Sequence, residues 1–439
     1  MTARLWADIQ RDMNAITPRH FLFLQGPHGP FFRSLARQLI AAGAKASRVG
    51  FNAGDAFFWR GLPGYQAVHG GSDALEDVLK KAFEGGVTDI VCYGASRPVH
   101  VLARRMAKAQ GVTVHAFEEG YLRPYWVTYE RDGTNAASRL NAFTLMTMRA
   151  ALDTPQAHSQ GAPDTWGNMR QHVFWGAVYH AALIAGRRRY PNYRSHRSPE
   201  PSGEFLIYLK HLLTMPLRRL RRRIATRRIR NATFPYHVVL CQLAHDANFR
   251  DNSDFESQAD FLGMTLGAFA QGAPPHHHLV VKAHPLEDGR ESLPHLVKAL
   301  EQTHGLTGRV HLVTGGKLAQ LLDRAQSAVT VNSTAAEQVL WRGLPLKAFG
   351  RATYNRPEFV SDQPLADFFA APRRPDSDAY SVYREFLLAS SQIPGGFYAQ
   401  SPRNQLLRRL PDLMHAPVGP YETLVERPAS AQQHIRLVT

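Results

Sequence analysis

The sequence predicts an α/β protein built from two doubly wound halves with a helical insert between them. Three observations predict it. Short apolar runs alternate with amphipathic, helix-like segments over residues 20–117 and again over 236–350. Each run ends in a Gly-, Asn- or His-containing turn, the pattern of a parallel sheet with ligands at its carboxyl edge. Between the halves the chain turns apolar and then strongly arginine-rich. The boundaries are 1–140 for the first unit, 141–234 for the insert, 235–378 for the second unit and 379–439 for a helical tail.

In the first unit, residues 20–25 read as a buried strand, 26–30 as a glycine turn and 34–42 as a helix closed by Gly43. Residues 48–55 read as a strand with its exit loop, and 73–83 as a helix. Asp89–Tyr93 is the next strand, 94–97 a turn, 99–110 a helix and 112–117 a strand. This alternation predicts parallel pairing, so the turns at 26–30, 52–55, 94–97 and 118–124 are expected along one crevice. In the second unit, strands are expected at 236–242, 279–283, 310–314, 327–331 and 343–350, with helices at 257–270, 317–324 and 332–341. A helix near 380–390 leads into an irregular, Pro-rich tail.

Composition bounds the function. A chain of 439 residues has room for two domains with substantial cores. Cys92 and Cys241 are the only cysteines, which excludes a disulfide scaffold or a cysteine zinc site and suits a reducing cytoplasm. The amino terminus has no long apolar run and reads as lacking a signal peptide. No stretch reaches the roughly 18 apolar residues that a membrane span needs. The net charge of +16 points to a polyanionic partner: an anionic substrate, a lipid surface or nucleic acid.

The charge is localised. The apolar segment 173–185 runs into Arg187, Arg188 and Arg189. A second apolar segment, 205–215, runs into Arg218, Arg219, Arg221, Arg222 and Arg223. Leu217, Leu220 and Ile224 recur at helical spacing among these arginines, the makings of a basic amphipathic surface for an anionic leaflet. Nucleic-acid readers carry recognisable motifs, and none is present.

The densest chemistry lies at 115–130, where Glu118, Glu119 and Arg123 sit among aromatics directly after a strand. Carboxylates, a guanidinium and stacking rings suit a sugar-acid or phosphate site. In the second unit Asn332, Ser333 and Thr334 stand where a strand hands over to a helix, a place for phosphate. Thr334 and Glu337 also form a capping-box pattern. Lys282 and His284 end a strand and can stabilise a phosphate leaving group. Gln242 and Asp246 lie in the exit loop of the unit's first strand, Asp246 being the candidate catalytic carboxylate. The 26–30 turn lacks both the dinucleotide and the Walker spacings. His276–His278 reads as a polar loop, because adjacent histidines do not share a face and no carboxylate completes a metal site.

Two α/β halves with loops meeting across a cleft form the GT-B glycosyltransferase layout. The residues also resemble the KpsS-type capsule polysaccharide Kdo transferases of Gram-negative bacteria. The blocks that carry the resemblance are 23–33 with 51–55, Phe-Glu-Glu-Gly-Tyr-Leu-Arg-Pro at 117–124, Val-Lys-Ala-His-Pro at 281–285, and 331–337 with 346–354. It implies a GT-B-like fold, CMP-Kdo as donor with no further cofactor, and transfer of the first β-Kdo onto a phosphatidylglycerol-type lipid. That lipid acceptor places the protein peripherally on the cytoplasmic face of the inner membrane. A second Kdo transferase and the capsule export complex are the implied protein partners. His284, Ser333 and Thr334 would hold the CMP phosphate, with Asp246, Glu118 and Glu119 near the reacting carbon. Arg123 or Arg97 suits the carboxylate of the sugar acid. Related sequences tend to carry an acid in the 94–97 turn, where this chain has Ala95 and Ser96. The competing readings are a chain-extending Kdo or sialyl-type CMP-sugar transferase, and a non-catalytic membrane adaptor of capsule assembly.

Overall fold

A computed structural model describes residues 18–153, 169–191, 224–243, 249–250, 252–284, 287 and 292–426. Two sheets organise them. The first has the order β12-β6-β5-β4-β1-β2-β3. Its strands are β1 His20–Phe23, β2 Lys45–Gly50, β3 Tyr65–Ala67, β4 Asp89–Tyr93, β5 Thr113–Glu119, β6 Trp126–Arg131 and β12 Gln392–Pro394. The second has the order β11-β10-β7-β8-β9 and is wholly parallel. It comprises β7 Tyr236–Leu240, β8 His278–Lys282, β9 Val310–Val313, β10 Ala325–Thr330 and β11 Leu346–Ala348. The central strands are mostly apolar because helices cover both faces of each sheet. Phe21, Phe23 and Val91 pack toward the helix Phe31–Ala41, while Leu22, Ile90 and Cys92 join Leu75 and Ala103 on the other face.

Each sheet reverses its strand order once, between β1 and β4 and between β7 and β10. Those reversals are where ligands collect in open α/β sheets. Helices expected at 34–42, 73–83, 99–110 and 257–270 are found at Phe31–Ala41, Ser72–Glu84, Pro98–Ala109 and Gln258–Gly272.

Three features differ from the expected pattern. Residues 52–55 open a short helix, Ala53–Phe57, instead of forming a loop, because Asn52 caps it by accepting from Asp55 N at 2.9 Å. After β5 the sheet stops being parallel: Glu118 and Glu119 pair antiparallel with Thr128 and Val127. The loop between β5 and β6 is too short for a crossover, so the chain doubles back as a hairpin. The expected helix near 380–390 is found at Ser377–Ala389, but beyond it, as far as residue 426, the chain is regular where an irregular tail was expected: β12 extends the first sheet beside β6, and the helices Gln400–Leu407, Leu410–His415 and Pro420–Glu426 follow. Leu406, Leu410 and Met414 enter the core of the first unit beside Phe31 and Leu39. The Arg131 guanidinium fastens this return by donating to the carbonyls of Leu413, Met414 and Ala416.

The histidine run is also more than a polar loop. His277 meets the buried His237 at 3.0 Å, and His278 starts β8 stacked on Phe234 and 2.9 Å from His311. This group lies at the amino edge of the second sheet, at the opposite end of the strands from the carboxyl-edge loops.

The layout is GT-B-like: two Rossmann-like units, a helical insert seen in Met169–Ala185 and 224–230, and a helical tail. One buried cluster crosses the junction. It contains Tyr121, Leu122 and Leu140 of the first unit with Tyr236, Ala336 and Tyr354 of the second. Arg356 clasps it, donating to Phe143 O at 2.9 Å and Leu140 O at 2.8 Å.

Candidate active site at the carboxyl edges of the two sheets

Glu118 and Glu119 are the last residues of β5, and successive strand residues point to opposite faces of a sheet. Glu119 Oε1 accepts from Tyr93 OH at 3.1 Å. Glu118 accepts from its neighbour's backbone, Glu119 N, at 3.2 Å and from Asn135 Nδ2 at 3.4 Å. Gly94 lies alongside: a Cβ there would stand 3.5 Å from Glu118 Oε2. Burial pushes the Glu118 carboxyl up to about 7; Arg123 opposes the rise, Glu119 adds to it, and Arg97 opposes it further. A carboxyl held there exchanges a proton at neutral pH, as a general acid or base must.

The hairpin loop after Glu119 is tightly built. Gly120 N donates to Trp126 O at 3.1 Å, and a Cβ on Gly120 would stand 2.2 Å from that oxygen. Gln392 of β12 accepts from Tyr121 N at 2.9 Å. Arg123 Nε donates to Gly120 O at 3.2 Å, and the Arg97 guanidinium lies 5.8 Å from the centre of the Tyr93 ring. These contacts group Glu118, Glu119, Arg123 and Arg97 at the β4 and β5 ends.

The second unit builds its edge at the β7/β10 reversal. The Gln242 and Asn332 side chains are buried and reciprocal. Gln242 Nε2 donates to Asn332 Oδ1 at 2.7 Å, and Asn332 N donates back to Gln242 Oε1 at 3.0 Å. Asn332 Nδ2 also donates to Asn252 O at 3.2 Å. Ser333 O accepts from Tyr354 OH at 2.8 Å, which ties the loop to the junction core. Lys282 is buried and donates to Ala283 O at 2.9 Å, with the half-buried His284 next along the strand exit.

Other expected features take a different form. The Thr334–Glu337 capping box does not form. Ser333 caps instead, accepting from Ala335 N at 3.3 Å, and the helix is a 3-10 turn followed by Glu337–Leu340. So short a helix has little aligned dipole to offer a phosphate. The Glu337 carboxylate turns into the core and accepts from Tyr380 OH at 2.8 Å and Tyr383 OH at 3.4 Å. Burial raises it to about 7 despite those donors. Asp246 and the arginines 218, 219, 221, 222 and 223 lie outside the described residues.

Asn135 and Tyr93, which hold the two glutamates, escaped the sequence reading. Asn135 has a trace there: it follows Asp132-Gly133, and its φ of +57° is a conformation that asparagine tolerates better than most residues. Tyr93 has no signal beyond its place at a strand end.

The chain matches the model of the family described as capsule polysaccharide biosynthesis protein over residues 88–398. It is 31% identical over 387 residues to the capsule polysaccharide export protein KpsS of Escherichia coli, covering 87% of this chain and 98% of that protein. It is 32% identical over 389 residues to the capsule polysaccharide modification protein LipB of Neisseria meningitidis serogroup A, covering 87% of this chain and 92% of that one. A solved structure, the KpsC β-Kdo 2,7 transferase of Thermosulfurimonas dismutans, is a looser likeness. It is 12% identical with a TM-score of 0.38, covering 84% of this chain and 99% of that one. With the family model spanning most of both units and two relatives matched nearly end to end, the chain belongs to the capsule polysaccharide biosynthesis protein family.

Proposed function

We propose that the chain is a glycosyltransferase that moves β-Kdo from CMP-Kdo to a phosphatidylglycerol-type lipid. The product would begin the Kdo linker of a capsular polysaccharide at the cytoplasmic face of the inner membrane. The observation that carries this reading is the grouping of Glu118 and Glu119 with Arg123 and Arg97 at the β4 and β5 ends, in a chain of the capsule polysaccharide biosynthesis protein family. A proton-exchanging acid beside two guanidinium groups suits an anionic sugar acid, whose carboxylate pairs with arginine while the transfer needs acid–base help.

In this reading Gln242, Asn332, Ser333 and Thr334 hold the cytidine monophosphate, and Lys282 and His284 balance the charge that builds on the leaving phosphate. Retention of configuration through a covalent glycosyl-enzyme requires an enzyme carboxylate, and Asp246 is assigned that role. The donor brings the only non-protein chemistry required. A second Kdo transferase and the export complex would take the product onward.

The test incubates purified protein with CMP-Kdo and phosphatidylglycerol lipid and follows the lipid by mass spectrometry. One added Kdo is expected, lost in His284→Ala and in Asp246→Asn, with CMP binding retained in Asp246→Asn. Wild-type protein that binds CMP yet adds no sugar overturns the acceptor assignment. Full turnover in Asp246→Asn removes that residue from the nucleophile's role.

A further inference from the structure

The helix Met169–Ala185 has two different faces. Its inner face grips the first unit. Trp175 Nε1 donates to Tyr398 O at 3.2 Å, and Tyr179 OH accepts from Asn52 Nδ2 at 2.8 Å. The His172 ring packs edge-on against His28 and Tyr398. Gly29 and Gly54 permit the approach, since a Cβ would meet Trp175 at 3.2 Å and the Tyr179 ring at 2.4 Å. The helix therefore rests on the loops at the carboxyl ends of β1 and β2.

Beyond the exposed Arg170 and Gln171 at its start, the outer face is apolar and exposed among the described residues. Phe174 is 57% exposed and Ile184 44% exposed. Phe174, Ala181 and Ala185 follow one another along a single stripe, all exposed, with Ile184 on its flank. No acidic residue occurs from Met169 to Tyr190, and the stripe runs into the exposed Arg187, Arg188 and Arg189. An isolated exposed apolar side chain is ordinary. A stripe that ends in three arginines is a pattern suited to an anionic headgroup layer, with apolar side chains entering and guanidinium groups pairing with phosphates. The helix of 17 residues is too short to cross a bilayer, and no helix among the described residues is long and apolar enough to do so.

We propose that this outer face is a docking surface for an anionic lipid bilayer. The inference rests on the lipid acceptor of the proposed function and deepens it: the helix that grips the β1 and β2 loops also holds the membrane surface against the first unit.

Sedimentation of the full chain with vesicles tests this, comparing phosphatidylglycerol-containing vesicles with phosphatidylcholine alone. Wild-type protein is expected to partition to the anionic vesicles, less so as salt rises. Phe174→Ser with Ile184→Ser, and separately Arg187, Arg188 and Arg189 each changed to Glu, are expected to lower partition at least about tenfold. Phe174→Trp, which keeps an apolar ring, is expected to show extra quenching by brominated phosphatidylglycerol. Unchanged partition in both variants, or no extra quenching, overturns the proposal. A lipid-free change of oligomeric state or melting temperature in the serine variant also overturns it, because a second copy or another segment of the chain then covers the face. Kdo transfer to a short-chain, water-soluble acceptor is expected to survive both variants. If wild-type protein transfers nothing to that acceptor yet binds vesicles, the transferase reading fails and the docking surface stands.

Discussion

Glu118→Gln removes a charge without changing shape, and its effect can be worked out in sign and size. The carboxyl rises from 4.5 to about 7 on folding. The folded state therefore holds a proton that the unfolded chain releases between those values. Stability then falls as pH rises through that window, and at pH 8 the ionised carboxylate costs about 3 kcal/mol, taken at 1.36 kcal/mol per pKa unit. The amide that replaces the carboxyl has no such cost. Glu118→Gln is thus expected to match wild type at pH 4 and to exceed it by up to about 3 kcal/mol at pH 8 in urea unfolding. Kdo transfer by the same variant is expected to fall by about two to four orders of magnitude, the usual contribution of a positioned acid or base. Glu337, also raised to about 7 but bonded to Tyr380 and Tyr383, is the control: Glu337→Gln should flatten the pH profile without touching transfer chemistry. A Glu118→Gln protein that is less stable than wild type at pH 8, or fully active, refutes the reasoning.

Gln242→Ala removes both halves of the reciprocal bond with Asn332 at a buried site. Calorimetry with CMP should show weaker binding, and urea unfolding a loss of about 1–3 kcal/mol. Gly120→Ala drives a Cβ onto Trp126 O, so denaturant unfolding should show a loss of at least about 1–3 kcal/mol, together with lost activity as Glu118 and Glu119 shift. Arg356→Lys cannot reproduce the two-pronged contact with Phe143 and Leu140. Hydrogen exchange at residues 140–152 should rise in that variant while the second sheet stays protected.

Much of the scaffold was legible from local patterning. The strands at 20–23, 89–93, 236–240 and 278–282 each carry an apolar stretch (21–23, 90–93, 238–240 and 279–281), the mark of a strand buried on both faces. The Glu-Glu-Gly-Tyr-Leu-Arg-Pro block and the Asn332 loop stood out as candidate chemistry because carboxylates, arginine and hydroxyls are poor choices for plain turns. The helix at Ser377–Ala389 was legible, but the tail beyond residue 390 was not. Its short helices and β12 carry weak periodicity, and they hold together through Leu406, Leu410 and Met414 packing under a helix that precedes them by more than 350 residues.

The division runs between periodicity and environment. Two α/β units, the arginine-rich insert and the identity of the acidic and basic residues at the strand ends are properties of order along the chain. Which of those residues can work is a property of surroundings. Glu337 looked like a cap, but the tyrosines of a distant helix draw it into the core. Glu118 looked like one of a pair, but burial raises its proton affinity, and Asn135 arrives from beyond β6 to hold it. A pKa depends on the solvent removed and the charges nearby in space, neither of which is written in the spacing of residues along a strand.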